Sequence, residues 1–384
     1  MHENCIVVHA GAGYHSKHKE TEYIQLCSDA CLRAAAILTQ DNSKFRSINA
    51  ACEAVAFLED NHLSNAGYGS NLTLDGSVEC DAGVMCGSCL RFAAVGSLSC
   101  IKNPILVAGH LLSQQIMDPF SRLGRVFPSL LVGKGALDYA VNAAGFSRIQ
   151  EVEMISPSSL ASWKKYKNWI DHVDKDTCHS MSLHHVSSKK ARFMTPLDTV
   201  GAVCVDSFGR VASAISSGGV AMKSPGRLGQ ACIYSAGSWA ECSPEEDGKV
   251  TESVGVITSG TGEQLIRTQL AQKCAQRVIN DTLPVPLAVE ASLSTDFLNS
   301  RFLNGEPDQR FAGVAGCLWR SLPFVRKRRS SEACVEIFFG HTTQSMAVAY
   351  FVDNTMKIPK SFISRKPLGR RHLVGAFSHR LLSC

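Results

Sequence analysis

The chain has 384 residues and a formal net charge of +5, with 45% hydrophobic and 19% charged residues. This balance predicts a globular protein with a large core and excludes general disorder and fibrous repeats. No apolar stretch approaches the roughly 18 residues that cross a bilayer, and the start of the chain lacks the basic and apolar regions of a secretory signal, so we expect neither a membrane segment nor export.

Periodic apolar patterns divide the first half of the chain into strands and helices. A buried strand is predicted at Cys5–Ala10, followed by the glycine-rich turn Gly11-Ala12-Gly13. The later predictions are helices at Glu22–Leu38 and Ser47–Leu63, a turn at Asn65–Asn71, short strands joined by the hairpin signal Asp75-Gly76, a strand at Ala93–Leu98 and a helix that begins at Asn103-Pro104.

The middle of the chain has a different composition. Between Trp163 and Arg192 there are seven Lys or Arg, three Asp and four His in a serine-rich background. We predict a helix at Pro157–His172 and a mobile linker at about 173–197, because a segment this long without secondary structure is usually functional or disordered. The pair His184-His185 could bind a metal, but solvated linker histidines are more common.

Ordered patterns resume at Thr199. A hairpin is predicted from Thr199–Val205 and Arg210–Ser216. The turn Thr258–Glu263 opens a helix to about Asn280, and late strands are predicted at Ala312–Trp319, Val335–Phe339 and Ser345–Phe351. Because the strands cluster rather than alternate with helices, we expect an α+β protein with antiparallel layers covered by helices.

Sixteen cysteines are spread over the chain without the regular spacing of a disulfide framework. In a protein without an export signal, they are expected to be reduced thiols that pack as small core residues. The segment Cys86-Gly87-Ser88-Cys89 has zinc-like spacing, but it has no second matching pair and lies among predicted strands. We therefore predict no metal site.

Positive charge is concentrated near the end of the chain. From Asn354 to Cys384 there are seven Lys or Arg and no acid, and Arg326-Lys327-Arg328-Arg329 forms another basic run. These segments fit either nuclear import and contact with acidic partners, or a solvated loop and a frayed tail. Direct nucleic-acid binding is not expected.

The junction Asp198-Thr199 is the main candidate for chemistry, since the chain contains no GxxxxGK[ST], GxSxG or HExxH motif. Cleavage before Thr199 would place a hydroxyl and a free α-amine on one residue. An α-amine has a pKa of about 7.7–8.0, so it can act as a base near neutral pH. On spacing alone, an ordinary strand start at Thr199 is the more frequent explanation.

Ordered motifs around this junction change that balance, because together they resemble the asparaginase type 2 family of N-terminal nucleophile hydrolases. Within that family, the segments His9–Ser16, Arg227–Ala231 and His341–Met346 are most similar to the threonine aspartase branch. The motifs, which span nearly the whole chain, are His9-Ala10-Gly11-Ala12-Gly13, Asn65-Ala66-Gly67-Tyr68-Gly69-Ser70, Asp198-Thr199-Val200-Gly201-Ala202-Val203, Ser216-Ser217-Gly218-Gly219, Pro225-Gly226-Arg227-Leu228-Gly229-Gln230 and Thr258-Ser259-Gly260-Thr261-Gly262-Glu263.

The resemblance implies a four-layer αββα sandwich and self-cleavage of the Asp198–Thr199 bond. The fragments 1–198 and 199–384 would stay together as one catalytic domain and assemble as (αβ)2, and no metal or organic cofactor is implied. Thr199 would be the nucleophile. The other implied site residues are Ser217 as an orienting hydroxyl, Ser259 and Gly260 as oxyanion donors, and Asn65 and Gly11 on turns that approach the nucleophile.

Arg227 and Gln230 bear on the substrate. In asparaginase-type relatives, the matching Arg holds the α-carboxylate of free asparagine and an Asp three residues later holds its ammonium, but here that later residue is Gln230. In an aspartyl residue within a peptide, two carbons separate the side-chain carboxylate from the main-chain carbonyl, as two carbons separate the α-carboxylate of asparagine from its side-chain amide carbonyl. Such a residue has no free ammonium. Arg227 could bind its carboxylate as a two-pronged pair. The resemblance thus favours a threonine endopeptidase that cuts after hydrophobic-Asp pairs such as Leu197-Asp198.

The implied substrates are nuclear transcription regulators, and we expect the protein in the nucleus and cytoplasm. A missing N-terminal extension and the spread of the linker lysines count against nuclear import. Three alternatives stay open: an asparaginase or isoaspartyl peptidase, which Gln230 disfavours; a lysosomal glycosylasparaginase, which the missing signal peptide disfavours; and an inactive nuclear scaffold, which the intact set of site residues disfavours.

Overall fold

The computed structural model describes residues 3–118, 124–179, 199–245, 250–305, 309–322 and 332–382. The strands are β1 (Cys5–Gly13), β2 (Cys80–Cys86), β3 (Arg91–Leu98), β4 (Leu130–Val132), β5 (Val200–Val205), β6 (Val211–Ser217), β7 (Ser238–Cys242), β8 (Glu252–Gly260), β9 (Ala312–Leu322), β10 (Glu332–His341), β11 (Ser345–Val352), β12 (Lys360–Arg365) and β13 (Leu373–Leu382).

The α-helices of the same ranges are α1 (Glu20–Gln40), α2 (Arg46–Glu59), α3 (Pro104–Met117), α4 (Gly133–Asp138), α5 (Pro157–His179), α6 (Gly262–Thr268), α7 (Leu270–Asn280) and α8 (Val285–Ala291). Short 3-10 helices lie at Lys17–Lys19, Gly67–Gly69, Glu151–Met154, Gln230–Cys232 and Arg301–Leu303, and π-helical turns at Tyr139–Ala143 and Ser292–Leu298. None of these helices is long and apolar enough to cross a membrane.

Two sheets stack face to face between helical layers. The larger sheet has the order β12-β11-β1-β5-β6-β2-β3-β4 and the smaller one β13-β10-β9-β8-β7, and neighbours are antiparallel except β3 and β4. Strands β1, β5 and β6 face β7, β8 and β9, while α1, α2 and α3 cover the larger sheet and α7 and α8 cover the smaller one. This arrangement confirms the predicted four-layer αββα sandwich of the α+β class.

The first residues of the central strand β1 are apolar, and both faces of the strand are buried. Cys5 and Val7 pack in the core that includes the facing sheet, whereas Ile6 and Val8 pack under the helices. Neighbouring β5 shows the same alternation. Because a slip of one residue would exchange the two faces, this pattern determines the register of β5 and therefore the position of Thr199 at its start.

Two turns predicted in the first half have a different structure. The glycines Gly11 and Gly13 lie inside β1, which continues past a bulge between His9 and Ala12. The Asp75-Gly76 segment does not join strands: it forms a turn closed by hydrogen bonds between Thr73 and Ser77, and its strand-like pairing is a single bridge from Thr73 to Lys223. A tight turn signal without apolar alternation on both sides does not make a hairpin.

Two helix predictions need new boundaries. The helix expected after the Thr258–Glu263 turn is divided into α6 and α7, because Gln269 adopts a left-handed conformation with φ of +50°. Helix α5 extends to His179, so the first seven residues of the predicted linker, 173–179, are helical. The rest of that linker, which includes His184-His185, lies outside the described residues, and so does Asp198 after it.

The basic end of the chain is ordered as two strands rather than a frayed tail. Strand β12 pairs with β11 and β13 pairs with β10, and both lie at sheet edges. Arg365 pairs with Glu20, and Arg380 pairs with Glu332. Positive side chains on edge strands discourage pairing with other chains, which gives this basic segment a structural role. The Arg326–Arg329 run lies outside the described residues.

Candidate active site

Thr199 and Ser217 lie at the same end of two paired central strands. The β5–β6 register places Val200 opposite Ser216, and Thr199 precedes Val200 as Ser217 follows Ser216. The two hydroxyl oxygens are 3.0 Å apart, and Thr199 is only 3% exposed. The structure therefore brings together the predicted nucleophile and its predicted orienting hydroxyl.

Two N–H donors set the direction of this hydroxyl pair. The amide of Gln230 donates to Thr199 Oγ1 at 3.3 Å, and the backbone N–H of Gly219 donates to Ser217 Oγ at 3.0 Å. A hydroxyl oxygen has two lone pairs, so Ser217 can accept both the Gly219 N–H and the Thr199 proton. Such an arrangement holds both hydroxyl oxygens in place and allows either hydroxyl to donate to the other.

Asn65 connects the turn from the first half of the chain to this pair. Its Nδ2 donates to the carbonyl of Gly219 at 2.8 Å, and its backbone carbonyl accepts the Gly218 N–H at 2.8 Å. The backbone N–H of Asn71 donates to Asn65 Oδ1 at 2.8 Å. Asn65 thus holds the loop that follows β6, and it lines the same pocket as Thr199.

A small pocket opens beside Thr199. Its volume is about 10 Å³, which is room for about one water molecule. The glycines in it make space for Arg227: a Cβ on Gly219 would lie 2.8 Å from Nη1 of Arg227, and one on Gly262 would lie 2.6 Å from Nη2. The lining residues are Asn65, Thr199, Ser217, Gly219, Val220, Arg227, Gln230, Gly260 and Gly262.

Arg227 is held by Glu263. Its Nε and Nη2 donate to the two carboxylate oxygens at 2.8 and 2.7 Å, which leaves Nη1 beside Gly219 in the pocket. Partial burial raises the pKa of Glu263, but the hydrogen bond and charge of Arg227 lower it overall. The Arg227 side chain is 15% exposed and that of Glu263 57%, so the pair lies at the mouth of the pocket.

Asp81, which sequence reasoning missed, supports the turn that contains Arg227. It is fully buried in β2, opposite Ser217, and its carboxylate accepts the N–H groups of Gly229 at 2.7 Å and Ser97 at 2.9 Å. Burial raises the pKa of Asp81 even though Lys223 and these N–H groups act in the opposite direction. An acid inside an otherwise apolar strand was the signal that could have revealed it.

His9, quoted in a motif but given no role, lies beside the start of β5. It pairs with Gly201, and a Cβ at Gly201 would be 2.9 Å from its Nε2. The Gly11 N–H donates to His9 Nδ1 at 3.3 Å. Complete burial lowers the pKa of His9 to about 3, against a smaller opposite effect of the Thr199 backbone. His9 is therefore a neutral ring at physiological pH.

Of the remaining predicted residues, Gly260 lines the pocket, whereas Ser259 and Gly11 do not. Gly260 lines the pocket with φ of +145°, a conformation that suits glycine. Ser259 is buried and accepts the Ala12 N–H at 2.9 Å, so its hydroxyl contacts β1. Gly11 lies in the β1 bulge and does not line the pocket. The oxyanion roles of Ser259 and Gly260 stay predictions.

No cluster of three or more metal-ligating side chains occurs among the residues that the structure places. Fourteen cysteines are placed as free thiols, and most of these are buried. The expectation that the reaction needs no cofactor stays a prediction.

Comparison with known proteins agrees with the fold. A family model described as asparaginase matches residues 2–302. An isoaspartyl peptidase of Salmonella typhimurium is 31% identical over 72% of this chain and 79% of its own. A plant-type L-asparaginase of Thermococcus kodakarensis is 32% identical over 71% and 79%, and an isoaspartyl peptidase/L-asparaginase of Xenopus laevis is 30% identical over 70% and 73%.

The chain belongs to the asparaginase type 2 family of N-terminal nucleophile hydrolases. It is accordingly a hydrolase of the amidohydrolase and peptidase kind, and the resemblance inferred from the motifs is confirmed at the level of the family.

Proposed function

We propose that this chain is a self-processing threonine endopeptidase that hydrolyses peptide bonds after aspartate in hydrophobic-Asp motifs. The observation that supports this most is the composition of the pocket: among the residues that line it, Arg227 supplies a cation and no residue supplies a carboxylate, while Glu263 holds the guanidinium from the mouth and leaves Nη1 facing inwards. A peptidyl aspartate needs a partner for its carboxylate only. Free asparagine and isoaspartyl peptides also carry an ammonium, which a pocket of this composition leaves unpaired.

The space around the site also suits a peptide. A cavity of about 180 Å³ adjoins the pocket at Asn65 and continues along serines of α5. A substrate that extends beyond its aspartate would have room there, whereas a free amino acid has no atoms to place in it. The cavity is lined by Lys19, Tyr23, His62, Leu63, Ser64, Asn65, Gly69, Asn71, Ser158, Ser159 and Ser162.

The proposed reaction starts from the processed form, in which Thr199 has a free α-amine. Thr199 Oγ1 attacks the carbonyl carbon of the substrate aspartate, and its proton passes to the α-amine and then to the leaving amine. Ser217 and Gln230 hold the nucleophile, and Arg227 binds the aspartate side chain. Water activated by the amine then hydrolyses the ester, which releases the acid and regenerates Thr199.

Self-cleavage would follow the same specificity. Asp198 precedes Thr199 and Leu197 precedes Asp198, which matches the hydrophobic-Asp motif. Assembly as (αβ)2, substrates among nuclear transcription regulators, and a nuclear and cytoplasmic location belong to this proposal. Light scattering of the processed protein and imaging of a tagged chain test the assembly and the location.

A second candidate is an isoaspartyl peptidase or asparaginase, which the names of the relatives favour. Gln230 is the residue that separates the two candidates, since it is neutral, 3% exposed and bonded to the nucleophile. An acid at that point would pair with a substrate ammonium.

The test compares four substrates with one processed preparation: a blocked Leu-Asp-Gly peptide, its Leu-Asn-Gly counterpart, free asparagine and a β-aspartyl dipeptide. We expect cleavage of the first alone, and Thr199→Ala to remain a single unprocessed, inactive chain. Arg227→Lys keeps the charge but cannot donate to both carboxylate oxygens of Glu263 while a further nitrogen faces the pocket, so kcat/KM for the aspartyl peptide should fall about 10- to 100-fold. Turnover of asparagine or the β-aspartyl dipeptide in preference to the peptide would establish the second candidate instead.

A further inference from the structure

A pair of cysteines lies at the turn between β2 and β3. Cys86 is the last residue of β2 and pairs with Arg91, the first residue of β3, so the turn contains Gly87, Ser88, Cys89 and Leu90. The thiols of Cys86 and Cys89 lie close enough for each to act on the pKa of the other. Residues three apart in a tight turn have Cα atoms within about 7 Å, and disulfides span about 4.4–6.8 Å, so the geometry suits a bridge.

The two thiols have different environments. Cys86 is 7% exposed, whereas Cys89 is exposed to solvent. The neighbouring Cys86 thiol lowers the pKa of Cys89 despite partial burial, and the backbone N–H and charge of Arg91 act in the same direction. The neighbouring Cys89 and burial raise the pKa of Cys86. Cys89 is therefore the accessible and more acidic thiol of the pair, and Cys86 is a buried thiol beside it.

Other cysteines of the described chain do not share these properties. Burial raises the pKa of Cys27, Cys52 and Cys274 to about 12, so each is a protonated core residue. The nearest third thiol, Cys242, packs on the turn with its Sγ 3.8 Å from Ser88 Oγ, but burial raises its pKa to about 11.

The pair is separate from the catalytic pocket. In the β2–β6 ladder Cys86 lies opposite Ala212, whereas Asp81 lies opposite Ser217. Five residues of strand correspond to about 17 Å at 3.4 Å per residue. Reaction at the turn therefore does not require access to Thr199.

We propose that Cys86 and Cys89 form a reversible dithiol–disulfide site that reacts with hydrogen peroxide and related hydroperoxides. The Cys89 thiolate sulfur attacks a peroxide oxygen, the O–O bond breaks, and Cys89 becomes a sulfenic acid while the released hydroxide takes a proton and leaves as water. The Cys86 sulfur then attacks the Cys89 sulfur. The S–S bond forms, the S–O bond breaks, and water leaves with the Cys86 proton.

In this reaction the dithiol loses two electrons and the peroxide is reduced to two waters. Low-molecular-weight thiols reverse it by thiol–disulfide exchange. Burial of Cys86 prevents its direct attack on an external oxidant but leaves it in contact with Cys89. This arrangement provides an oxidised form that can be reduced again, rather than progression of Cys89 to the irreversible sulfinic acid.

The test exposes the whole protein to equimolar hydrogen peroxide at neutral pH, followed by peptide mass spectrometry without reduction. We expect a loss of two hydrogen atoms within the peptide that contains residues 86–89, and recovery of the reduced mass with dithiothreitol. Cys242→Ser should behave as wild type, Cys89→Ser should not react, and Cys86→Ser should leave Cys89 as a sulfenic acid or a higher oxide. A bridge from Cys89 to Cys242, or oxidation of Cys89 without any bridge in wild type, would overturn the proposal.

A measurement on the unmutated protein checks the thiolate independently of folding defects in the variants. The rate of alkylation of Cys89 by iodoacetamide, followed by peptide mass spectrometry, should rise with a midpoint below the ordinary cysteine value. A midpoint near the ordinary cysteine value of about 8.5 would remove the reason for its selective reaction.

Discussion

The buried carboxylate of Asp81 lies opposite Ser217 in the sheet and accepts the N–H of Gly229 at 2.7 Å. One side chain thus links the strand of Ser217 to the turn that contains Arg227. The other carboxylate oxygen accepts the Ser97 N–H at 2.9 Å, so both oxygens are used as acceptors. The distance between Thr199 and Arg227 therefore depends on a residue that does not line the pocket.

Asp81→Asn should destabilise the fold and displace the Arg227 turn. An asparagine retains one acceptor oxygen but turns an NH2 group towards a backbone N–H, and an unsatisfied buried donor costs about 1–3 kcal/mol. We expect chemical denaturation to show a free energy of unfolding lower by about this amount, and we expect a higher KM for an aspartyl peptide. Asp75→Asn, at an exposed turn, is the control. Equal stability and equal KM in the two variants would show that Asp81 does not position the turn.

Gly201→Ala should disturb the start of β5. A Cβ at this position would lie 2.9 Å from His9 Nε2 and 3.1 Å from Ile257 Cβ, and the strand is central in its sheet. Overpacking of this kind costs about 1–3 kcal/mol, and Thr199 lies only two residues away. We therefore expect a lower melting temperature and slower self-processing, measured by intact mass against time.

The control for that variant is Gly135→Ala in α4, where a new Cβ meets nothing within 4 Å. Alanine is a better helix former than glycine, so this change should stabilise the protein by up to about 1 kcal/mol and leave processing unchanged. Normal processing of Gly201→Ala would mean that His9 and Ile257 can shift to accommodate the new Cβ without displacing Thr199.

The parts of the fold that follow from local pattern were predictable. The apolar runs of β1 and β5 indicated buried strands, and the hairpin of β5 and β6 placed Thr199 and Ser217 at one end. The contact between those strands and the turn at Asn65 came from the family resemblance and not from spacing. Local patterns give periodicity, whereas the neighbours of a strand depend on the pairing of distant segments.

That limit explains the residues that were missed. Asp81 acquires its role through Gly229, which is distant in sequence, and nothing near Asp81 indicates that contact. Strands β12 and β13 were not predicted, because a segment rich in Lys and Arg is typical of a solvated tail. In the structure β12 pairs with β11 and β13 pairs with β10. Glu263 was quoted in a motif, but its bond to Arg227 required the turn and α6 to be placed together.

Gln230→Asp should shift the enzyme towards free asparagine. The carboxylate would offer a partner to the substrate ammonium, but it would also compete with a substrate carboxylate for Arg227, since Gln230 Oε1 and Arg227 Nη2 both approach Gly262. We expect kcat/KM for the Leu-Asp-Gly peptide to fall about tenfold or more, and ammonia release from asparagine to become measurable.

Gln230→Leu separates charge from the loss of the hydrogen bond to Thr199. It should lower peptide cleavage without producing ammonia release, because it has neither a donor nor a negative charge. Equal ammonia release by both variants, or by neither, would argue that residue 230 does not select between peptide and amino acid.

Glu59 should make stability depend on pH. It is fully buried in α2, its Oε1 accepts the Ile105 N–H at 3.1 Å, and burial raises its pKa to about 8 from an ordinary value of 4.5. Between these pH values the folded protein holds a proton that the unfolded chain releases. The stability that this proton contributes is complete below pH 4.5 and is lost as the pH rises towards 8.

Glu59→Gln is neutral at every pH and should remove this dependence. The free energy of unfolding of the variant, relative to wild type, should increase by at least about 1 kcal/mol between pH 5 and pH 8, since each unit of pH across the window is worth up to about 1.4 kcal/mol. Buried histidines such as His9 titrate in both proteins, so their effect cancels in the difference. The exposed Glu22→Gln control should give a curve parallel to wild type. If the curve of Glu59→Gln is also parallel to that of wild type, the Glu59 carboxyl is ionised inside the folded protein. A donor to its second oxygen must then exist at neutral pH.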